Sequence, residues 1–255
     1  MNSEGAQYKP ISYAALKNVV AMMMLVKKLQ GRGPHLPNIG VMSGFSGYGK
    51  TWASIYAQNK TRAVRVEVGD SWNRKTFLRA ILRELGVQEP KGTVADLAER
   101  AVELLGEKFD RPLMIDEADK LVDKGMIELV RELAEYSQAP VILIGEEALP
   151  SKLVRFERVH NRVLDWTLAQ PCDLEDVRKL AGIYAPNLKI ADRLLERLRE
   201  MSEGRARRVV TNLDHIADWA RTHGASTVDE GYDGPIYTGQ PPAPRKSSFA
   251  VRRVA

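Results

Sequence analysis

The sequence predicts an α/β protein: a doubly wound parallel sheet followed by a small all-helical domain. Three observations predict it. Short runs at 38–43, 112–115 and 140–144 have the length and apolar character of strands, the last two buried, and 63–68 reads as a further strand. Amphipathic segments of helical period separate them, and that alternation builds a parallel sheet with helices on each side. From about Trp166 the strand signals cease and only helical periodicity continues, as far as His223.

Taken in order, residues 12–30 read as a helix. Its apolar run 19–26 is too short to span a membrane and meets Lys27-Lys28, and the Met22-Met23-Met24 stripe is read as core. Gly31, Gly33, Pro34 and Pro37 end this segment. Strand 38–43, a glycine-rich turn at 44–49, helix 50–60 and strand 63–68 form the first strand-helix-strand unit. Residues 72–85 place Phe77, Leu78, Ile81, Leu82 and Leu85 at helical spacing before Gly86. Helix 93–109 opens on Thr93, with Asp96 three positions later as in a capping box. A helix at 125–136 separates the last two strands, and 174–184, 190–201 and 207–223 supply three more helices. The expected organisation is an N-terminal helical segment (1–35), an α/β domain (36–165), a helical lid (166–225) and a basic, Pro-rich, disordered tail (226–255).

Composition narrows the class. With 44% hydrophobic residues in 255, the chain can bury a sizeable core. Its single cysteine, Cys172, cannot form an internal disulfide, and no metal-ligand spacing of Cys and His occurs, so a cytoplasmic compartment is expected. Four of the five net positive charges come from Arg245, Lys246, Arg252 and Arg253, leaving the body nearly neutral. Global charge is therefore a weak argument for nucleic acid.

The chemistry lies in two motifs. Gly44-Phe-Ser-Gly-Tyr-Gly-Lys-Thr51 fits the Walker A pattern between a strand and a helix. Gly44, Ser46, Gly47, Tyr48 and Gly49 would wrap backbone N–H groups around phosphates, Lys50 would neutralise β/γ oxygens, and Thr51 would ligate magnesium. Leu113-Met-Ile-Asp116-Glu117-Ala-Asp119 ends an apolar strand in acids: Asp116 to hold Mg2+, Glu117 to act as base or to orient water. Asp119 reads as a helix-terminal or surface acid. The expected cofactors are ATP and Mg2+.

With both motifs in place, and Val141-Ile-Leu-Ile-Gly145 and a helical lid after them, the chain resembles an AAA+ ATPase over roughly 30–225. The resemblance implies an AAA+ module with a site shared between subunits, and hence ATPase activity stimulated by assembly. It puts the sensor 1 position at Gly145-Glu146-Glu147, where Glu146 replaces the usual Asn, Ser or Thr. It makes Arg162, with Arg158 as the second choice, the arginine finger, and Arg207 (with Arg205 and Arg208 as alternatives) the sensor 2 arginine.

Within that family the chain is similar to the phage Mu transposition protein B group (MuB, TniB, TnsC, IstB), on its GFSGYGKT loop, LMIDEAD strand end and IGEEAL continuation. That similarity implies ATP-dependent rings or filaments on double-stranded DNA that deliver the target to a transposase, and no membrane partner. Phosphate contacts without sequence preference are expected from Arg74, Lys75 and Arg79, then Lys120 and Lys124. The alternatives are a replication initiator or helicase loader, whose usual C-terminal winged helix has little room after Gly224; a protein-remodelling ATPase using Trp72; and a module that holds ATP without hydrolysing it.

Overall fold

The computed structural model describes residues 16–108 and 110–241. Five strands, β1 (Ile39–Ser43), β2 (Val64–Glu67), β3 (Leu113–Asp116), β4 (Val141–Gly145) and β5 (Val163–Leu168), form one sheet in the order β2-β3-β4-β1-β5. Every pairing is parallel. The four expected strands are present, and β1 and β4 are buried at every residue. The chain works inward from β2 to β4 on one side of β1 and then adds β5 on the other. This places the topological switch at the carboxyl end of β1, where open α/β sheets bind ligands.

Helices α1 (Lys17–Gln30) and α2 (Lys50–Thr61) cover one face, packing Val19, Met22, Leu25 and Ala53 against Met42, Met114, Ile142 and Ile144. The other face carries α3 (Arg74–Glu84), α4 (Val94–Gly106), α5 (Asp119–Asp123), α6 (Ile127–Ser137), α7 (Leu149–Leu153) and α8 (Glu157–His160). Phe77, Leu78, Ile81 and Leu82 are all within 1% of full burial, as the spacing of α3 requires. Each such side chain contributes about 1.5–3 kcal/mol of transfer free energy. The Thr93–Asp96 capping box forms in both directions at the start of α4.

β5 was not anticipated. It is an edge strand, half exposed along its length, with a register shift at Ile39/Gly40, so the alternation that would mark it is broken at Leu164. The expected domain boundary at 165/166 therefore cuts through a strand. Beyond it, α9 (Leu174–Tyr184), α10 (Asp192–Met201) and α11 (Ala206–His223) enclose a separate core of Val177, Leu194, Leu198, Val209, Leu213 and Ile216.

The second domain is not purely helical, because β6 (Lys189–Ile190) and β7 (Thr227–Val228) pair in parallel. Nor is 226–241 a free tail. Val228 and Tyr232 are each 3% exposed, and Tyr237 exchanges two hydrogen bonds with buried Asn212, at 2.6 and 3.0 Å. Isolated apolar residues spaced by turns pack here without any periodicity for a sequence to display. The rest of the expected tail, 242–255 with its four bases, lies outside the described residues, as do 1–15.

Helix α1 ties the two domains together. Buried Asn18 donates to Tyr48 O (2.8 Å) and Gln170 O (2.7 Å) and accepts from Gln170 N (2.8 Å). Lys17 reaches the start of α9, its backbone N–H to Asp176 and its ammonium 2.5 Å from Asp173. Burial holds the neighbouring Cys172 thiol up at about 12, which leaves it unreactive. Asn18→Ala strands three partly buried backbone groups and should cost about 1–3 kcal/mol in a denaturant melt. Val20→Ala, on the exposed side of the same helix, should stay within about 0.5 kcal/mol. Equal effects of the two would contradict this bridge.

Candidate nucleotide-binding site

The loop after β1 is shaped by its glycines. Gly47 (φ 88°) and Gly49 (φ 87°) take left-handed conformations that a β-carbon disfavours. Gly49 is the N-cap of α2 with no side chain capping it, and the first turn of α2 contains no acid. Its leading N–H groups and the positive end of its dipole are thus free to meet an anion.

Lys50 opens α2 and is 8% exposed. Its Nζ donates to Gly44 O at 2.5 Å and Phe45 O at 3.1 Å and lies 3.9 Å from Glu146. Burial pushes the Lys50 ammonium below its usual range, opposed by Glu146, Asp116, Glu117 and Asp119. A polyanion at this ammonium would relieve that desolvation.

Asp116 ends β3 in the core, 3% exposed. Its Oδ1 accepts the Glu117 N–H at 3.0 Å, and its Oδ2 is 2.7 Å from Arg65. Glu117 then turns through a left-handed conformation (φ 57°), which directs its side chain into the cavity. Burial raises the Glu117 carboxyl above its ordinary range, with Lys120, 3.8 Å away, opposing. Asp119 is not a surface acid: it is 8% exposed and accepts the Glu146 N–H at 2.7 Å, so it fixes the loop after β4 beside Lys50.

The lid docks directly on the loop. Arg207 N donates to Gly47 O (3.3 Å), and Arg205 donates to Ser46 O (2.9 Å) while pairing with Glu203. Arg208 is drawn away to Glu203. Of the three candidate sensor arginines, Arg207 is the one that lines the cavity.

That cavity, about 430 Å³, brings together Ser46, Gly47, Gly49, Lys50, Thr51, Glu117, Glu146 and Arg207. Gly44 and Tyr48 support it from behind, through the Lys50 and Asn18 hydrogen bonds. Its other half is apolar and was not foreseen: Leu16 and Val19 from the start of α1, Trp52 and Ile55 from α2, Leu180, Ile183 and Tyr184 from α9, and Val210 from α11. Each belongs to an ordinary amphipathic face, so nothing in the sequence marks it. An end lined by the glycine loop, Lys50 and Arg207 and an apolar end in one cleft suit a nucleotide. Thr51 and Asp116 offer hard oxygen donors, a set that fits magnesium carried in by phosphates. No group of three or more His, Cys, Asp or Glu among the described residues could hold a metal ion alone.

The remaining candidates lie elsewhere. Arg162 precedes β5 at the opposite end of the sheet and pairs with Glu135 at 2.6 Å. Arg158 is exposed on α8. Arg74 and Lys75 are exposed at the start of α3, Arg74 making one long contact to Gly125 O (3.4 Å). Arg79 is half buried, with its Nε enclosed and unpartnered. Lys120 and Lys124 are engaged within the chain instead: partly buried Lys120 sits between Asp70 and Glu117, and exposed Lys124 holds Asp70 O and Trp72 O.

A β-carbon at Gly49 would meet nothing closer than 3.8 Å, whereas one at Gly47 would lie 3.3 Å from Arg205 Cβ. Gly49→Ala should therefore cost about 1–2 kcal/mol of left-handed strain alone. Gly47→Ala should cost more in the same melt, since it also pushes the lid away; the reverse ranking would contradict this docking.

Residues 35–153 match the family described as "AAA domain". No curated protein matches the sequence closely enough to count as a relative. Among solved structures, the Aeropyrum pernix ORC2 protein in its ADP form is similar over 88% of this chain and 68% of that one, at 15% identity and TM-score 0.63. The Aeropyrum pernix ORC1 protein in complex with DNA matches over 88% and 64%, at 18% identity and TM-score 0.61. The Thermotoga maritima RuvB Holliday junction branch migration motor matches over 90% and 69%, at 18% identity and TM-score 0.58. The chain thus spans about two thirds of the length of these proteins, and at such identities the likeness is one of fold. Residues 35–153 thus resemble an AAA-type ATPase domain, and the chain carries the AAA+ P-loop fold.

Proposed function

We propose that this chain binds ATP with Mg2+ in the cavity between the loop after β1 and the lid, hydrolyses it, and uses the ATP-bound state to assemble on double-stranded DNA and deliver that DNA to a transposase. The observation that carries the nucleotide part is the convergence of the uncapped start of α2, Lys50, Glu117 and Arg207 on one cleft with an apolar end. Leu16, Val19, Ile183 and Val210 would take the base, and the N–H groups of 47–51 with Lys50 the phosphates. Thr51 and Asp116 would hold the magnesium, which supplies charge neutralisation at the transferred phosphoryl group. Glu117 would receive the proton of the attacking water, and Arg207 would report the γ-phosphate to the lid.

Hydrolysis would be completed across a subunit contact. Arg158 is the better placed finger, since Arg162 is committed to Glu135. Exposed Arg74 and Lys75 would meet phosphates, and ORC1 and RuvB, which share the fold, are described in complex with DNA and as a Holliday junction branch migration motor. The transposase rests on the sequence resemblance to the Mu transposition protein B group, and the cytoplasmic setting on the single cysteine, Cys172. No helix among the described residues is long and apolar enough to cross a membrane. A second reading, a replication-initiator ATPase, is favoured by the ORC likeness over 88% of the chain.

Electron microscopy of the protein with duplex DNA should show ATP-dependent filaments or rings that ADP does not support. In the same assay Arg158→Ala should keep nucleotide binding but lose DNA-stimulated hydrolysis. Filaments absent with ATP would end the DNA-assembly proposal, and discrete complexes confined to particular sequences would favour the initiator reading. The pH profile offers a separate check. Because Lys120 holds the Glu117 pKa down against burial, Lys120→Ala should move the acid limb of the ATPase profile to higher pH. An unmoved limb would remove Glu117 from the proton-accepting role.

A further inference from the structure

Strand β2 reads Val64-Arg65-Val66-Glu67, and its arginine stays inside the sheet's margin, with 13% of its side chain exposed. The guanidinium meets three elements. Nη2 donates to Asp116 Oδ2 at 2.7 Å and to Glu67 Oε2 at 3.2 Å, while Nε donates to Ser54 Oγ at 2.8 Å. Ser54 Oγ in turn donates to Thr51 O at 2.7 Å. One side chain therefore links the carboxylate at the end of β3 to the helix that begins with Lys50 and Thr51.

Asp116 has 4% of its side chain exposed, so it needs a positive neighbour, and Arg65 is the cation in contact with it. Magnesium placed beside the same carboxylate would compete with that guanidinium, since two cations on one anion repel. Glu67 offers a way out. It pairs with Asp116 in register across β2 and β3, its side chain is 58% exposed, and it already shares Nη2. The guanidinium can shift toward Glu67 without being left unpaired, at little desolvation cost to an acid that is mostly in water.

We infer that Arg65 is a built-in counter-ion that competes with the nucleotide's magnesium for Asp116 and yields to it by moving to Glu67. This deepens the nucleotide reading and rests on it. Arg65 is a positioning residue, acting through Asp116, and it sets the magnesium concentration at which the site fills. A lysine could not replace it, because a single ammonium cannot span Ser54 and Asp116 as the planar fork does.

The test is binding of a fluorescent ADP by the full chain with magnesium titrated, and a parallel arm in EDTA. Arg65→Met removes the competitor, so the half-saturating magnesium concentration should fall by roughly three- to tenfold. Glu67→Gln removes the alternative partner, so the same midpoint should rise by about threefold. A residue that merely stabilised the fold would shift melting without splitting these two midpoints in opposite directions. Midpoints that stay put, or that move the same way in both variants, would overturn the inference while nucleotide binding stands. Failure of the unaltered protein to bind ADP in either arm would bring down the nucleotide reading and this inference with it. If Arg65→Met does not yield folded protein, Glu67→Gln at an exposed position decides alone, an unchanged midpoint counting against the inference.

Discussion

The rest of the molecule depends on one electrostatic constraint: an uncapped helix start and a buried lysine brought together at the carboxyl end of β1. The first N–H groups of α2 have no side-chain cap, and Lys50 is desolvated among backbone carbonyls. Left alone, such concentrated positive potential is costly. The fold offsets it with four surrounding acids, brought from three different places in the chain. Asp116 and Glu117 come from β3, Asp119 from the start of α5, and Glu146 from the loop after β4.

Those acids are not interchangeable, and their differences come from their partners. Asp116 is held by Arg65 and by the Glu117 N–H. Asp119 is spent on positioning the backbone of Glu146 and pairs loosely with Lys152. Glu117 is lifted into the cleft by its own left-handed backbone, an arrangement that a non-glycine residue adopts only when its surroundings enforce it. A row of carboxylates that looks uniform in one dimension becomes one candidate metal holder, one candidate base and one structural anchor.

The second consequence is the dependence of the cleft on the lid. Arg205 and Arg207 contact the glycine-rich loop directly, and α1 fastens both the loop, through Asn18, and the start of α9, through Lys17. The apolar end of the cleft is assembled from α1 and α2 on the sheet and α9 and α11 in the lid, helices that belong to two cores. Movement of the lid would therefore alter the apolar and the phosphate-facing ends of the cleft together, which is the coupling that a nucleotide-controlled assembly needs.

By itself the sequence determined what depends on short-range pattern. Strands β1 to β4, the glycine turn, the Thr93 cap and the acids closing β3 are local, because strand burial patterns, left-handed backbone and helix capping each leave a signature within a few residues. Tertiary structure decided what depends on meetings between distant segments. β5 was hidden because a half-exposed edge strand with a register shift has no clean period. The packing of 226–241 was hidden because Val228, Tyr232 and Tyr237 are isolated anchors. Arg65 in its strand, Asn18 in its helix, and the contacts of Lys120 and Lys124 with Asp70 were equally hidden, since a polar side chain shows its partner only once the chain has folded back on itself.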